Sequence, residues 1–189
     1  GLHVLKTTFN ISVAIEALYN SAANRQNRRD SVTVLLKNTS PPYATVDSSR
    51  SIIDSISLTA QMKFDYAPAG NYYIVVKHRN SIQTWSKNGG ENFDPMTADS
   101  YNFTSSTSQA YGNNMTAADN SPVIFALYSG DVNQDEVIDG SDVLLIGNDA
   151  FNYMTGYIST DLNGDETADG TDQSIADNNA YNYVAVARP

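Results

Sequence analysis

Alternating hydrophobic and polar positions dominate the first two-thirds of the chain. In residues 9–17 every odd position is apolar, which predicts a strand with one buried and one solvated face. Short runs rich in β-branched and aromatic residues, separated by Asn, Ser, Pro and Gly, predict further strands at residues 31–37, 44–47, 50–54, 57–64, 72–78, 81–85 and 123–128. Seven or eight strands with frequent turns predict an antiparallel β-sandwich.

The period of the hydrophobic pattern becomes helical after residue 129. The residues that fit one helix face are Val143, Leu144, Ile146 and Ala150, and thirty residues later Ile175, Ala176 and Ala180. No helix is predicted before either segment, because residues 122–128 are a β-type run and residues 157–160 are short and β-prone. Each repeat is therefore a loop followed by one helix.

A twelve-residue loop with oxygen donors at positions 1, 3, 5, 7, 9 and 12 stands before each of these helices. The donors are Asp131, Asn133, Asp135, Val137, Asp139 and Asp142 in the first loop and Asp161, Asn163, Asp165, Thr167, Asp169 and Asp172 in the second. Position 7 binds through its backbone carbonyl, so Val137 and Thr167 are both compatible. Six hard oxygen donors are the set that calcium prefers, and the pattern predicts two bound Ca²⁺ ions.

Two loop-then-helix repeats with Asp rather than Glu at position 12 resemble the dockerin family of secreted bacterial proteins, over residues 129–189. The resemblance implies that each loop binds calcium and that the paired helices bind a cohesin domain on a scaffold protein. The chain departs from the family at loop position 6, usually Gly, where it has Glu136 and Glu166. The helices also offer Asn148 and Asn178 in a region where dockerins often carry basic residues. Calcium binding is therefore the stronger expectation and cohesin binding the weaker one.

Residues 1–128 are predicted to form one β-sandwich module. Its strand order, with a Pro-Gly turn at residues 68–70 before a Tyr-bearing strand, resembles the transthyretin-like and Cna-B-type modules, which are Ig-like sandwiches of bacterial surface proteins. That resemblance implies fold alone. Only Ser129 and Gly130 separate the last predicted strand from Asp131, so we expect residues 129–189 to pack against the sandwich, with apolar helix residues such as Leu144 and Leu145 buried against it.

The negative charge of the chain is concentrated in the second module. The whole chain has a net charge of −10, yet residues 130–189 hold twelve acidic residues against Arg188 alone, a net of −11. Such crowded carboxylates repel each other unless cations lie between them. No basic stripe indicates nucleic-acid binding. The cluster of Arg25, Arg28 and Arg29 is interpreted as a solvated turn.

The predicted calcium loops and the absence of cysteine give information about the cellular compartment in which the protein works. The sequence has no cysteine, no recognisable signal peptide and no apolar run long enough to insert into a membrane. Millimolar calcium is found outside cells, and metal loops stabilise small modules that lack disulfides. We therefore expect a secreted or cell-surface location, as part of a larger exported protein.

Residues 77–87 contain the single Trp of the chain among planar and polar side chains. In one interpretation they form a glycan-binding platform made of Trp85, His78, Arg79, Asn80 and Gln83. In the other, Trp85 fills the sandwich core and His78 caps a strand end, as is usual for tryptophan. Residues 87–121, rich in Asn, Gly, Ser and Thr, are predicted to form a long irregular loop that binds a ligand or simply covers the sheet.

No nucleophile with a base, and no pair of carboxylates suited to acid–base chemistry, is evident outside the calcium loops, so the chain is not predicted to be an enzyme. The leading hypothesis is a non-catalytic calcium-binding module that anchors or supports a larger protein. The alternatives are a carbohydrate-binding module using Trp85 and loop aromatics, and a cohesin-binding dockerin of a multi-enzyme assembly.

Overall fold

Twelve β-strands and two α-helices form the regular structure of residues 8–189, which the computed structural model describes. Residues 1–7 of the predicted sandwich module lie outside the described residues. The strands are β1 (Phe9–Ser12), β2 (Tyr19–Asn20), β3 (Arg25–Gln26), β4 (Asp30–Asn38), β5 (Thr45–Ile53), β6 (Thr59–Met62), β7 (Gly70–His78), β8 (Ser81–Trp85), β9 (Glu91–Phe93), β10 (Asp99–Asn102), β11 (Thr116–Asn120) and β12 (Val123–Ala126). The helices are α1 (Gly140–Phe151) and α2 (Gly170–Tyr181).

Two sheets enclose the main core. One has the antiparallel order β5-β4-β7-β8, with β9 also paired to β7, and the other has the order β10-β1-β6. The core between them takes residues from both sheets, among them Ile11 and Met62 from one and Val34 and Val76 from the other. The prediction of a mainly β chain with a small helical part is therefore confirmed, although β1 pairs with β10 in parallel.

The structure corrects two details of the predicted strands. Residues 44–47 and 50–54 belong to one continuous strand, β5, because its inward positions stay in register with β4 through the polar stretch between them. Residues 87–121 are not an irregular loop, since they contain β9, β10, β11 and two short 3₁₀ turns. Their aromatic residues Phe93, Tyr101 and Phe103 are buried in the main core. This polar sequence forms strands because it pairs with other segments, as β10 does with β1 and β9 with β7. Its local pattern of hydrophobic and polar residues does not predict those strands.

Each helix begins at a loop carboxylate and buries only a narrow face. Asp139 and Asp169 are the N-caps, and both helices start with a reciprocal capping box. Ile146 and Ala176 are fully buried in a small second core with Val132 and Leu162. In the described residues, neither helix is long and apolar enough to cross a membrane.

The prediction that Leu144 and Leu145 bury against the sandwich is wrong. These side chains are 63% and 42% exposed. Successive helix residues are rotated by about 100°, so the face set by Ile146 turns Leu144 away from the second core. An exposed apolar surface on α1 is the result.

The packing of Phe103 gives a test of the main core. Its ring is fully buried, 4.8 Å from the Tyr101 ring centroid. We expect Phe103→Ala to lower the free energy of unfolding by about 3–5 kcal/mol, because it removes buried area and leaves a cavity. Urea denaturation measures the change. Tyr66→Ala, at a side chain 83% exposed, is the control and should change stability by less than about 0.5 kcal/mol; equal losses in both variants would contradict this packing.

Candidate calcium loops and their junction with the sandwich

One buried carboxylate closes the first loop. Asp142 at position 12 accepts hydrogen bonds from the backbone N–H groups of Val132 (2.9 Å) and Asn133 (3.2 Å) through Oδ1 and of Asp139 (3.0 Å) through Oδ2. It therefore joins the start of the loop to the start of α1. Asp139 in turn accepts from the backbone N–H of Ser141 at 2.7 Å, which caps the helix.

The second loop repeats this arrangement position for position. Asp172 accepts from the N–H groups of Leu162 (2.7 Å) and Asn163 (3.0 Å) through Oδ1 and from Asp169 (2.9 Å) through Oδ2. The apolar residue at position 2 of each loop, Val132 or Leu162, enters the small core between the helices. The thirty-residue repeat of the sequence is therefore a repeat of structure.

Both loops keep the left-handed backbone at position 6, although the residue there is Glu rather than Gly. The φ angles of Glu136 and Glu166 are 77° and 72°. A side chain in this region is strained by roughly 1–3 kcal/mol and persists only where surrounding contacts fix the backbone. Glu in place of Gly at position 6 therefore leaves the left-handed turn of each loop in place.

Acidic side chains crowd the centre of the first loop. Burial, and then the nearby carboxylates of Asp142 and Asp135, raise the pKa of Asp131 to about 6. Burial also raises the pKa of Asp142 and of Asp172 above the ordinary value, against the effect of their backbone hydrogen bonds. Within each loop, these carboxylates are held close together and are largely shielded from solvent. A divalent cation between them would relieve that repulsion.

The oxygen donors at positions 1, 3 and 5 of the first loop are directly linked to one another. The Asp135 N–H donates to Asp131 Oδ1 (3.1 Å) and to Asn133 Oδ1 (2.9 Å), and Asn133 Nδ2 donates to Asp135 Oδ2 (2.8 Å). Within the described residues, no three His, Cys, Asp or Glu side chains are already gathered as a metal cage. A carboxylate has about four lone-pair sites, so these oxygens keep capacity for a cation. The donor chemistry therefore fits calcium.

The turn between β7 and β8 contacts the second loop, the residues before it, and the residue that precedes the first loop. Arg79 donates to the carbonyl oxygens of Ile158 and, at 3.0 Å, of Asp161. The Asn80 side chain donates to the carbonyl oxygens of Ser159 (3.0 Å) and Asp161 (3.1 Å), while its own carbonyl accepts from the Gly130 N–H (2.7 Å). Arg79 and Asn80, predicted as glycan ligands, therefore bind backbone groups of residues 130–161.

Asp30 orients this turn from the neighbouring strand. Its carboxylate accepts from Arg79 Nε (3.1 Å) and from the Tyr157 hydroxyl (2.5 Å), and it lies 3.3 Å from His78 Nε2. Burial alone would raise the pKa of Asp30, but His78, Tyr157 and Arg79 outweigh it and hold the pKa well below the usual range. Burial lowers the pKa of the His78 imidazole, which is fully enclosed. Asp30 is therefore ionised, and Arg79 is its permanently charged counter-ion.

The side chains of Asp30, His78 and Ser81 contact one another in succession, with His78 in the middle. The sequence did not predict this arrangement. Ser81 Oγ is 2.9 Å from His78 Nδ1, and Asp30 is on the opposite side of the ring. All three residues are at most 3% exposed, and Ser81 forms a backbone bridge with Ser129. No surface is left for a substrate at the hydroxyl, so the geometry indicates a packed polar contact rather than a hydrolytic triad.

The residues predicted as a glycan platform do not share one exposed surface. Trp85 is 3% exposed, with Tyr43 and Tyr73 packed edge-on at ring distances of 6.2 and 5.6 Å and Lys37 Nζ 5.4 Å from the ring centre. Gln83 is 8% exposed and His78 is 2% exposed. The ring of Trp85 is buried, as the alternative interpretation expects, but it does not fill the sandwich core, because it packs with Tyr73 and Val75 on the opposite face of the larger sheet.

Sequence reasoning missed the part of the junction that precedes β4. Arg28, interpreted as solvated, has a side chain only 24% exposed, 3.7 Å from Asp161 Oδ2. The Tyr157 ring has Arg28 at 5.1 Å and Arg79 at 4.5 Å from its centre. These partners are separated by more than seventy residues in the sequence, and no local pattern could have indicated them.

Comparisons with known proteins identify a fold. No protein-family model and no curated protein matches the chain. Among solved structures, a C-terminal interface mutant of a type II cohesin–X-dockerin complex from Acetivibrio cellulolyticus matches at 17% identity and a TM-score of 0.51, over 94% of this chain and 99% of that chain. An N-terminal interface mutant of that complex matches at 18% identity and a TM-score of 0.50. The coverage includes the sandwich and both helices.

The enclosed imidazole of His78 predicts a pH-dependent stability. In the unfolded chain a histidine has a pKa of about 6.5, whereas burial lowers the pKa of His78 in the fold. Below about pH 6.5 the unfolded state binds the extra proton, so stability falls as the pH drops. We expect His78→Gln to flatten this slope, as measured by urea unfolding at about pH 5 and about pH 7.5. Parallel profiles for the two proteins would show that the imidazole ionises freely in the fold.

Proposed function

We propose that this chain is a non-catalytic, calcium-stabilised anchoring module that attaches a larger secreted protein to a cohesin-type β-sandwich partner. The observation that carries the proposal is the structural identity of the two loops, each closed by its position-12 Asp and followed by a capped helix. Their donor sets fit two Ca²⁺ ions, and the helices that follow them keep apolar side chains at the surface.

The calcium part of the proposal rests on charge. Residues 130–189 have a net charge of −11, and their most buried carboxylates, Asp131, Asp142, Asp161 and Asp172, are all at most 2% exposed. Two divalent ions would remove four of those charges at the positions where repulsion is strongest. The ions would supply folding free energy, because an unfolded chain has no such sites.

The anchoring part rests on the exposed surface of the helices. Leu144 is 63% exposed, and aromatic side chains follow at the end of each helix, with Phe151 and Tyr181 both 83% exposed. Tyr153 and Tyr183, two residues further on, are 87% and 90% exposed. This number of large apolar side chains exposed on and just after the two helices favours a protein-binding role for them. The fold similarity to a cohesin–X-dockerin complex supports a cohesin as the partner, and a sandwich followed by paired loop-helix repeats agrees with the X-dockerin part of that name.

Calcium removal is the first test. We expect chelator to lower the melting temperature, because each occupied site adds about 2.7 kcal/mol of stability at a hundredfold excess of calcium over its Kd. Asp131→Asn and Asp161→Asn should each lose the part of that calcium-dependent shift that its own loop contributes. The control Asp177→Asn changes an exposed carboxylate of α2 outside the donor set and should keep the full shift. A melting curve unchanged by chelator would overturn the calcium sites.

Titration with a purified type II cohesin is the second test. We expect binding in calcium and none in chelator, with Leu144→Asp weakening affinity about tenfold or more because a charge would enter the buried centre of the interface. The control Ile56→Asp places the same charge at a side chain of the sandwich that is 68% exposed and should leave affinity unchanged. Absence of binding by a protein that calcium still stabilises would overturn the partner but not the metal sites.

A further inference from the structure

The sandwich contacts the second loop differently from the first. Arg28 Nη1 lies 3.7 Å from Oδ2 of Asp161, the position-1 donor of that loop, and the Asp161 side chain is completely buried. One residue earlier, Asn27 Nδ2 donates to the carbonyl of Asn163, the position-3 residue, at 3.2 Å. A segment of the sandwich therefore delivers a positive charge to a proposed calcium ligand.

The two repeats differ in sequence at the loop position that the Arg28 side chain approaches. Position 4 is Gln134 in the first loop and Gly164 in the second, with φ angles of 61° and 79°. A Cβ atom at Gly164 would lie 2.6 Å from Cδ of Arg28 and 2.8 Å from Cδ2 of Leu18. The second loop therefore requires glycine at position 4 to admit the side chain of Arg28, whereas the first loop has room for a long residue there.

Stacking and charge, rather than a close hydrogen bond to the carboxylate, hold the Arg28 guanidinium. It lies 5.1 Å from the centre of the Tyr157 ring, and its buried Nε has no hydrogen-bond partner in the part of the chain that the structure describes. Since 3.7 Å is longer than a direct N–H···O bond, the pair is an electrostatic contact that an ion in the loop would oppose. Two positive charges would then face the same carboxylate.

Among residues 8–189, no such cation lies at the position-1 donor of the first loop. The charged groups that most affect Asp131 are the carboxylates of Asp142 and Asp135. Arg188 lies near this loop, but it pairs at 3.0 Å with Glu136 at position 6, and both side chains are substantially exposed. Position 6 contributes no side-chain oxygen to a calcium loop. The charge of Arg188 therefore does not neutralise any of the carboxylates that are proposed to bind calcium in the first loop.

We propose that Arg28 is an internal counter-ion of the second loop, which makes the two calcium sites unequal. The first loop binds calcium more tightly, and the second binds it against the charge of Arg28. Loading is therefore ordered, first loop before second, and occupancy of the second site weakens the contact between Arg28 and the loop. The inference rests on the proposed calcium function and concerns the affinity of one of its two sites.

Calorimetric titration of the full chain with calcium chloride tests this order. In an Asp131→Asn background, which disables the first loop, Arg28→Met should tighten calcium binding roughly three- to tenfold, the effect of removing one partly screened charge. Arg28→Lys keeps the charge and should remain within about twofold of the parent. Arg188→Met is the matched control, since it removes an arginine paired with the other loop, and should not alter the second site. Arg28→Gln supplies another neutral variant if the first folds poorly.

The outcomes separate this inference from the calcium function itself. Tighter binding in Arg28→Met and Arg28→Gln, with a larger calcium-induced rise in melting temperature, supports the counter-ion. Unchanged or weaker calcium binding in folded neutral variants, while the parent binds two ions, overturns the counter-ion and leaves the calcium sites in place. No calcium heat from the unmutated chain, with no effect of chelator on its melting, overturns the proposed calcium function as well.

Discussion

The ionised carboxylate of Asp30 is the group on which the junction of the two modules depends. It fixes the guanidinium of Arg79, which then donates to the Ile158 and Asp161 carbonyls, and it accepts from the hydroxyl of Tyr157. Charge-assisted bonds of this kind are about twice as strong as neutral ones, and removing one partner leaves the other charge buried without compensation. The start of the second loop is thereby joined to the larger sheet through groups that must all be present together.

Local patterns in the sequence predicted the elements that are built from local rules. Alternation located β4, β7 and β8 to within a residue or two, and the loop spacing located the starts of both helices. A helix cap and a twelve-residue loop are closed by residues a few positions apart, so a short stretch of sequence contains the whole pattern. The same rules predict the oxygen donors of both loops, which stay a prediction.

The contacts that the sequence could not predict are long-range. β10 pairs with β1 across about ninety residues in an Asn- and Ser-rich stretch that has no strand alternation. Asp30 and Tyr157 are separated by 127 positions. The orientation of α1 followed from the packing of Ile146 with α2, whereas the sequence showed several apolar residues that could have been buried instead. Burial decides between such alternatives, and it is a property of the assembled chain.

The double attachment of the β7–β8 turn has a mechanical consequence. In the proposed anchoring role, a partner bound to the helices would pull on residues 129–189, and the load would reach the sandwich through this junction. The covalent joint at Ser129 and Gly130 would not carry that tension alone, because the turn bonds both to Gly130 and to the carbonyls of residues 158–161. Several hydrogen bonds loaded in parallel resist separation better than one flexible linker, so this joint is built to transmit force as a stiff connection.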